Sequence, residues 1–389
     1  MHSDAINVVP LLSLRSMFLI VLINLGIMCN VMAGIPEFNA AMRVGDYQAA
    51  ATETGSSWES YDKTRESAVT IVREFAFVNY LAGEFATARE FIGNLTNEQS
   101  ALATRDDQPA TTRLLEALIN YRLDSSSENR QSLVHSVEAR MTVDGVDNIS
   151  LLAVEELYND DWMQGRLSEV ELTAALAVVL FDRTQGQTLS QKRRAQIVAL
   201  AAEFMLRRDY RQYNAFVDLH NEIVSDVDAT SDISQREHLI PLKWVAHAWI
   251  NSIWAYLESG YRQTGSNIDG RLRQGELARS FSSAFYESNV DPTDTRTLCE
   301  VRFSDGNLRY PVSTRYKGLV GSVIVKVDFD EDGRASNPII LAAIPDVTFS
   351  ESVLGAVPGF RLRAVRGQHR NLCRMQRKDQ VLPFLFLIR

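Results

Sequence analysis

The stretch GSVIVKVDFD (Gly321–Asp330) alternates. Val323, Val325, Val327 and Phe329 fall on one side; Ser322, Ile324, Lys326 and Asp328 fall on the other. Period two over this length predicts a β-strand with one buried face. Asp330 to Arg334 (DEDGR) follows as a hairpin loop, with Gly333 placed where φ must be positive. Pro338–Ala343 (PIILAA) reads as the return strand. Ser350–Phe360 reads as a short helix with Val353, Leu354 and Val357 turned inward, and Glu351 complements its dipole. The chain then closes on an apolar strand, Val381 to Ile388 (VLPFLFLI).

Working back towards the N-terminus, the pattern changes to helical spacing. From about Pro36 to Val290 apolar residues recur at helical intervals with no run of alternation. Leu172, Leu176, Val179 and Leu180 form one such set, and Ile197, Leu200, Ala201 and Phe204 another. Ser168 with Glu171 makes a capping box for the first. The acidic stretch Ser225–Asp232 reads as an exposed loop, and Asp291–Arg296 (DPTDTR) as the end of the helical region.

This region carries signs of repetition. Gly45-Asp46-Tyr47 leads into Ala49-Ala50, and Gly83-Glu84-Phe85 leads into Ala86 and Ala88. Glycine makes the turn, the acid opens the next helix, and the aromatic with its alanines packs back on the previous one. Fainter echoes stand at Gly165-Arg166-Leu167 and Arg208-Asp209-Tyr210, so the spacing is about 38 to 44 residues. The turns resemble those of tetratricopeptide-type repeats, although the spacing exceeds the family's and most of its consensus is missing. The expectation is a degenerate solenoid of stacked helix pairs, of the kind that holds peptides or proteins. An irregular helical bundle is the alternative.

The C-terminal succession resembles the C-terminal domain of TonB-type proteins. The elements that carry the likeness are Tyr310-Pro311, Gly318–Gly321, the strand VIVKVDF, Asp332-Gly333-Arg334, Phe349 with Ser352–Val357, Phe360, and Pro383-Phe384. The resemblance covers roughly the last 80 residues. It departs from the family at Phe360, where Trp is common, and at Arg361–Asp379, which is longer and more basic than the usual link. It implies a small α+β domain whose last strand lies at a sheet edge and accepts an extended peptide as an added strand. The implied partner-binding residues are Val381, Leu382, Pro383, Phe384, Leu385 and Phe386. Pro383 suits an edge, because proline donates nothing to a ladder. Core packing is the plainer role for Leu382, Phe384 and Phe386.

The fold class expected is therefore multi-domain: an all-α helical-repeat region followed by a small α+β TonB-like domain. The boundaries are a leader at 1–33, helices at 34–290, a linker at 291–304 and the C-terminal domain at 305–389.

The leader has Arg15 ahead of an apolar run, Met17–Met32, and Val31-Met32-Ala33 offers a cleavage site before Gly34. The run is a little short of the roughly 20 residues that span a bilayer. Cleavage makes the protein periplasmic; retention makes it a single-pass inner-membrane protein. TonB-type energy transducers carry a polar His and Ser on the anchor helix and a Pro-rich spacer after it. Met17–Met32 has neither residue, and a helical region replaces the spacer.

At 389 residues with 46% hydrophobic content, the chain can bury a large core. A net charge of −9 argues against a nucleic-acid binder. Seven basic residues nevertheless cluster late in the chain: Arg361, Arg363, Arg366, Arg370, Arg374, Arg377 and Lys378. They read either as a contact for phosphate-bearing lipids, peptidoglycan carboxylates or an acidic partner, or as a solvated loop. Outside the leader, Cys299 and Cys373 remain; they are a possible disulfide or two buried thiols.

No catalytic, cofactor or metal constellation emerges. The six histidines are scattered, and Leu219-His220-Asn221-Glu222 reads as a surface patch. The expectation is a non-enzymatic docking protein of the cell envelope, without cofactor. Its partners would be envelope proteins, among them an outer-membrane receptor, or peptidoglycan; membrane contact requires a retained leader. A membrane-anchored TonB-type transducer is the alternative.

Overall fold

The computed structural model describes residues 36–264 and 297–386, apart from 98, 143–145, 185–187, 210, 300, 305, 307, 312–319, 345–346, 366–372 and 376. The leader and half of the linker lie outside this set.

The helical region is built of antiparallel pairs. Its helices are α1 (Pro36–Arg43), α2 (Tyr47–Ser60), α3 (Ala68–Ala82), α4 (Phe85–Thr96), α5 (Pro109–Leu123), α6 (Ser127–Met141), α7 (Asn148–Met163), α8 (Leu167–Asp182), α9 (Leu189–Arg207), α10 (Arg211–Ala229) and α11 (Ile233–Thr264). Tight turns separate α1 from α2, α3 from α4, α7 from α8 and α9 from α10. In each the chain turns at a left-handed residue: Gly45, Gly83, Gly165 and Arg208. These are the four places where the sequence repeats its turn pattern. Asp46 caps α2 by accepting the Ala49 N–H at 2.9 Å. Behind the second turn, the Phe85 ring sits 5.5 Å from Tyr80. The α5–α6 turn has no glycine; Ser126 caps α6 instead.

Three details differ from the sequence reading. On α8 the buried side is Val170, Thr173, Ala174, Ala177, Leu180 and Phe181, while Leu172 and Val179 are exposed. Of the set read as one face, Leu180 is buried and Leu176 half-buried, so the inner face is turned towards Thr173, Ala174 and Ala177. Ser168 lies inside α8, which starts at Leu167. Residues 225–229 belong to the end of α10, with Val227 buried, so less of the acidic stretch is loop.

Two compact units divide the chain: residues 12–162 with 172–195, and residues 163–171 with 196–389. The division falls within the helical region rather than at 291–304.

Inside the first unit, buried or half-buried arginines tie helices together. Arg73 on α3 reaches Asp106 at 2.5 Å and Thr112 at 3.2 Å. Arg130 on α6 grips Asp161 on α7 with two bonds, 2.8 and 2.7 Å, and Asp161 also accepts from Thr173. Arg194 on α9 bonds Glu155 at 2.9 Å and Asn159 at 3.2 Å, both on α7. Burial pushes the Glu155 carboxyl up, against the pull of Arg194.

In the second unit the strands are β1 (Thr297–Leu298), β2 (Val301–Ser304), β3 (Gly321–Phe329), β4 (Ala335–Ile344), β5 (Arg361–Ala364), β6 (Cys373–Arg374) and β7 (Gln380–Phe386). A further helix, α12 (Val347–Ala356), runs into a 3-10 turn at Val357–Gly359. The main sheet has the order β4-β3-β7, antiparallel throughout; β2 pairs antiparallel with β5, and β1 parallel with β6. One core joins Val323, Val325, Val327 and Phe329 to Phe349, Val353, Val357, Phe360, Phe384 and Phe386. Leu354 is exposed, not inward.

The other face of β3 is also buried, contrary to the alternation. Helix α11 lies on it, placing Ala248, Trp244 and Val245 against Ile324, Ala342 and Val381. Ile324 and Ser322 are fully buried as a result.

Asp161 has no exposure, so removing its guanidinium leaves a charge in the core. We expect Arg130→Met to lower unfolding free energy by about 3 kcal/mol. Arg130→Met with Asp161→Leu should cost less than the single change, as read from urea denaturation midpoints.

Candidate functional site

The edge strand β7 is regular. Its seven residues pair one-to-one with β3, from Gly321↔Phe386 to Val327↔Gln380, without a bulge. Among the described residues no strand pairs with its other side. Phe384 and Phe386 point into the core, and Leu382 packs at its margin. On the opposite face Val381 touches the α11 cluster, while Pro383 and Leu385 stay exposed. Leu385 is 40% accessible, and Ile339 on β4 is 51% accessible. Pro383 stands opposite Ile324, in the middle of the strand.

The other edge, β4, is less regular. Its register with β3 shifts twice, and Asn337 takes φ 50° just before Pro338. Bulges are a usual protection against unwanted pairing.

One carboxylate fixes the start of β7. Asp328, near the end of β3, accepts from the Asp379 N–H at 3.0 Å, Lys378 Nζ at 3.0 Å and Asn337 Nδ2 at 3.1 Å. The Asp379 amide does most to bring its pKa down to about 2, with Asn337 next. Lys326 pairs with Asp379 at 3.1 Å on the same corner. The hairpin beside it depends on Gly333, at φ 74°, where a Cβ would stand 2.0 Å from the Leu362 carbonyl oxygen.

Cys299 and Cys373 are bonded, with Cα atoms 5.0 Å apart. The bond and the β1–β6 pairing tie the segment after β5 back to the start of the module.

The basic stretch does not form one patch among the described residues. Lys378 is spent on Asp328. Arg377 is half-buried, and its carbonyl accepts the Phe329 N–H. Arg374 lies in β6 opposite Leu298. Arg366 and Arg370 lie outside the described residues. Arg361 bonds the carbonyls of Pro358 and Phe360. Arg363 is exposed and stands directly opposite Arg302. Arg302 was not part of the sequence reading; the short alternation Val301-Arg302-Phe303-Ser304 was its signal.

His220 is buried, not a surface group, and its ring centroid is 5.9 Å from that of His247. The pair joins α10 to α11, the helix that covers the sheet. Lys243 sits nearby, with Nζ 4.4 Å from the Trp244 ring, and Asp228 faces it. Burial brings His220 down to about 4, reinforced by Lys243. His247 is held well below its usual range by burial, then by His220 and Lys243.

Among the described residues no group of three or more His, Cys, Asp or Glu could hold a metal ion, and no helix is long and apolar enough to cross a membrane. No protein-family model matches the chain, and no curated protein or solved structure matches it.

The histidines dictate an acid limb of stability. The folded pKa of His220 lies below the unfolded value near 6.5, so the unfolded chain binds more protons between about pH 6.5 and 4, and His247 is shifted in the same direction. The His220 contribution is complete above about pH 6.5 and is lost as pH falls towards 4. Thermal melting should show a drop across that window, worth roughly 3 kcal/mol for His220. His220→Gln should flatten it. Asp328 adds a later loss, between about pH 3.8 and 2. Asp328→Ala should cost about 1 kcal/mol and speed amide exchange along Val381–Phe386.

Proposed function

We propose that this chain is a docking protein of the bacterial cell envelope, in which β7 takes up an extended peptide from a partner protein as an added strand. The observation that carries the reading is the pair of sheet edges: β4 shifts register twice against β3, while β7 pairs with it along seven residues without a bulge. A peptide laid along β7 would gain main-chain bonds and cover Pro383 and Leu385. Those bonds would supply affinity, and side chains at alternate positions would supply choice. The likeness of the C-terminal succession to TonB-type domains supports the same use. The paired helices would hold a second partner, as stacked helical hairpins do. No catalytic step is part of the reading. Export to the periplasm by residues 1–33 belongs to it; a retained leader would instead suit a membrane-anchored transducer, and the mass of the mature N-terminus separates the two.

Deleting residues 300–389 is a poor test, because it would strip the cover from Ala248 and Trp244 on α11. Point substitutions avoid this. Leu385→Lys changes an exposed side chain on β7, and Leu354→Lys an equally exposed one on α12. Envelope proteins captured by the full chain should be lost with Leu385→Lys and kept with Leu354→Lys. Equal capture by both variants would sink the edge-docking reading.

A further inference from the structure

We propose that the β2–β5 ribbon is a contact for a phosphate-bearing anionic lipid surface, through the arginines it gathers on one face. The inference is independent of the β7 edge.

Antiparallel pairing sets Arg302 against Arg363 and Ser304 against Arg361. A bridge outside the named strands sets Arg334 against Arg361. Paired residues share a face, as do residues two apart on a strand. Arg302, Arg334, Arg361 and Arg363 therefore stand together on one face, spread over three adjacent backbones. The patch measures about 10 Å across the strands and about 7 Å along them. The opposite face belongs to the core: Leu362 is buried, and the Phe303 ring lies 5.3 Å from Phe360 and 5.9 Å from Phe384.

Like charges directly opposite each other destabilise a strand pair. Here the pair is Arg302 with Arg363, on a ribbon four residues long. No carboxylate within the described residues forms an ion pair with either side chain. The arrangement is unfavourable for folding alone, which points to an anion. Asp330, Glu331 and Asp332 crowd the hairpin tip beside Arg334. They offset that end, so the strongest positive field lies over Arg302, Arg361 and Arg363.

The shape decides the source of the anion. Among the described residues the face is an open ribbon that encloses nothing, with Arg302 and Arg363 both exposed. A small phosphate compound would gain no burial there. An array of headgroup phosphates would meet Arg302 and Arg363 at once, at roughly 1 kcal/mol per basic residue near an anionic surface. The net charge of −9 confines such attraction to this local patch.

The test is co-sedimentation of the full chain with phosphatidylcholine vesicles, with and without phosphatidylglycerol. Wild type should prefer the anionic vesicles, and the preference should fade with added sodium chloride. Arg302→Gln/Arg363→Gln should reduce that preference about thirtyfold. Ser304→Glu, at an exposed position, should also reduce it, and it keeps the test open if the double variant folds poorly. Arg302→Lys/Arg363→Lys should retain it, because a surface field needs charge rather than a guanidinium fork. Comparing variants cancels every other contact of the chain with the vesicle. Equal binding to both vesicle types overturns the proposal, as does an unchanged preference in the neutralised variants or its loss in the lysine variant. Displacement by inorganic phosphate beyond that of chloride at equal ionic strength would show a discrete phosphate site and overturn the lipid-surface reading.

Discussion

Ile324 stands on the face of β3 that a lone small α+β module would leave to water, yet it has no exposure. Helix α11 removes the water by laying Ala248 on it, with Trp244 and Val245 alongside. Burying one isoleucine in this way contributes about 2 kcal/mol, and Ala342, Leu341, Ile344 and Val381 add to it. Much else in the second unit follows from that contact. The sheet becomes a middle layer, with α12 on one side and α11 on the other. Position 322 can hold a buried serine and position 324 a buried isoleucine, although both lie on the nominally polar side. The last helices and the sheet then form one compact unit, and the division of the chain falls upstream of them.

The same contact limits what β7 can offer. Val381 is taken up by the α11 side, and Phe384 and Phe386 by the core, so little of the strand's side-chain surface remains. What remains is Pro383, Leu385 and the outer main chain. The six residues that the resemblance assigned to docking therefore split by physical role. Four hold the sheet together, and two face outward. Core packing and edge docking coexist because alternation sends neighbouring side chains to opposite faces.

Much of this was legible in the residues. The helix pairs showed in their turns, because a left-handed turn residue with an acid after it is a local requirement. The strand, hairpin and short helix of the C-terminal module were legible for the same reason, down to Gly333 at positive φ. What could not be read was tertiary. Leu172 and Val179 have the spacing of a buried face, but the inner face is turned towards Ala174 and Ala177. His220 beside Asn221 and Glu222 looks like a surface patch until α10 turns it onto His247. Arg302 and Arg363 are 61 positions apart, and only the pairing of β2 with β5 makes them neighbours.

The buried arginines of the helical unit show a related constraint. Ion pairs in a core are weak contributors compared with apolar packing, since both partners lose water. Their value lies in direction. Arg130 must meet both oxygens of Asp161, and Arg194 must meet both Glu155 and Asn159; a helix shifted by one turn would leave a charge stranded. Apolar stripes on repeated helices are interchangeable and would tolerate such a shift. A helical array with long, irregular spacing and little consensus lacks the conserved packing residues that set register in regular repeats. Specific guanidinium–carboxylate pairs can supply that register instead, because the wrong alignment costs several kcal/mol while the right one needs only to break even. On this argument the arginine clamps, rather than any repeat motif, define how α6, α7 and α9 align.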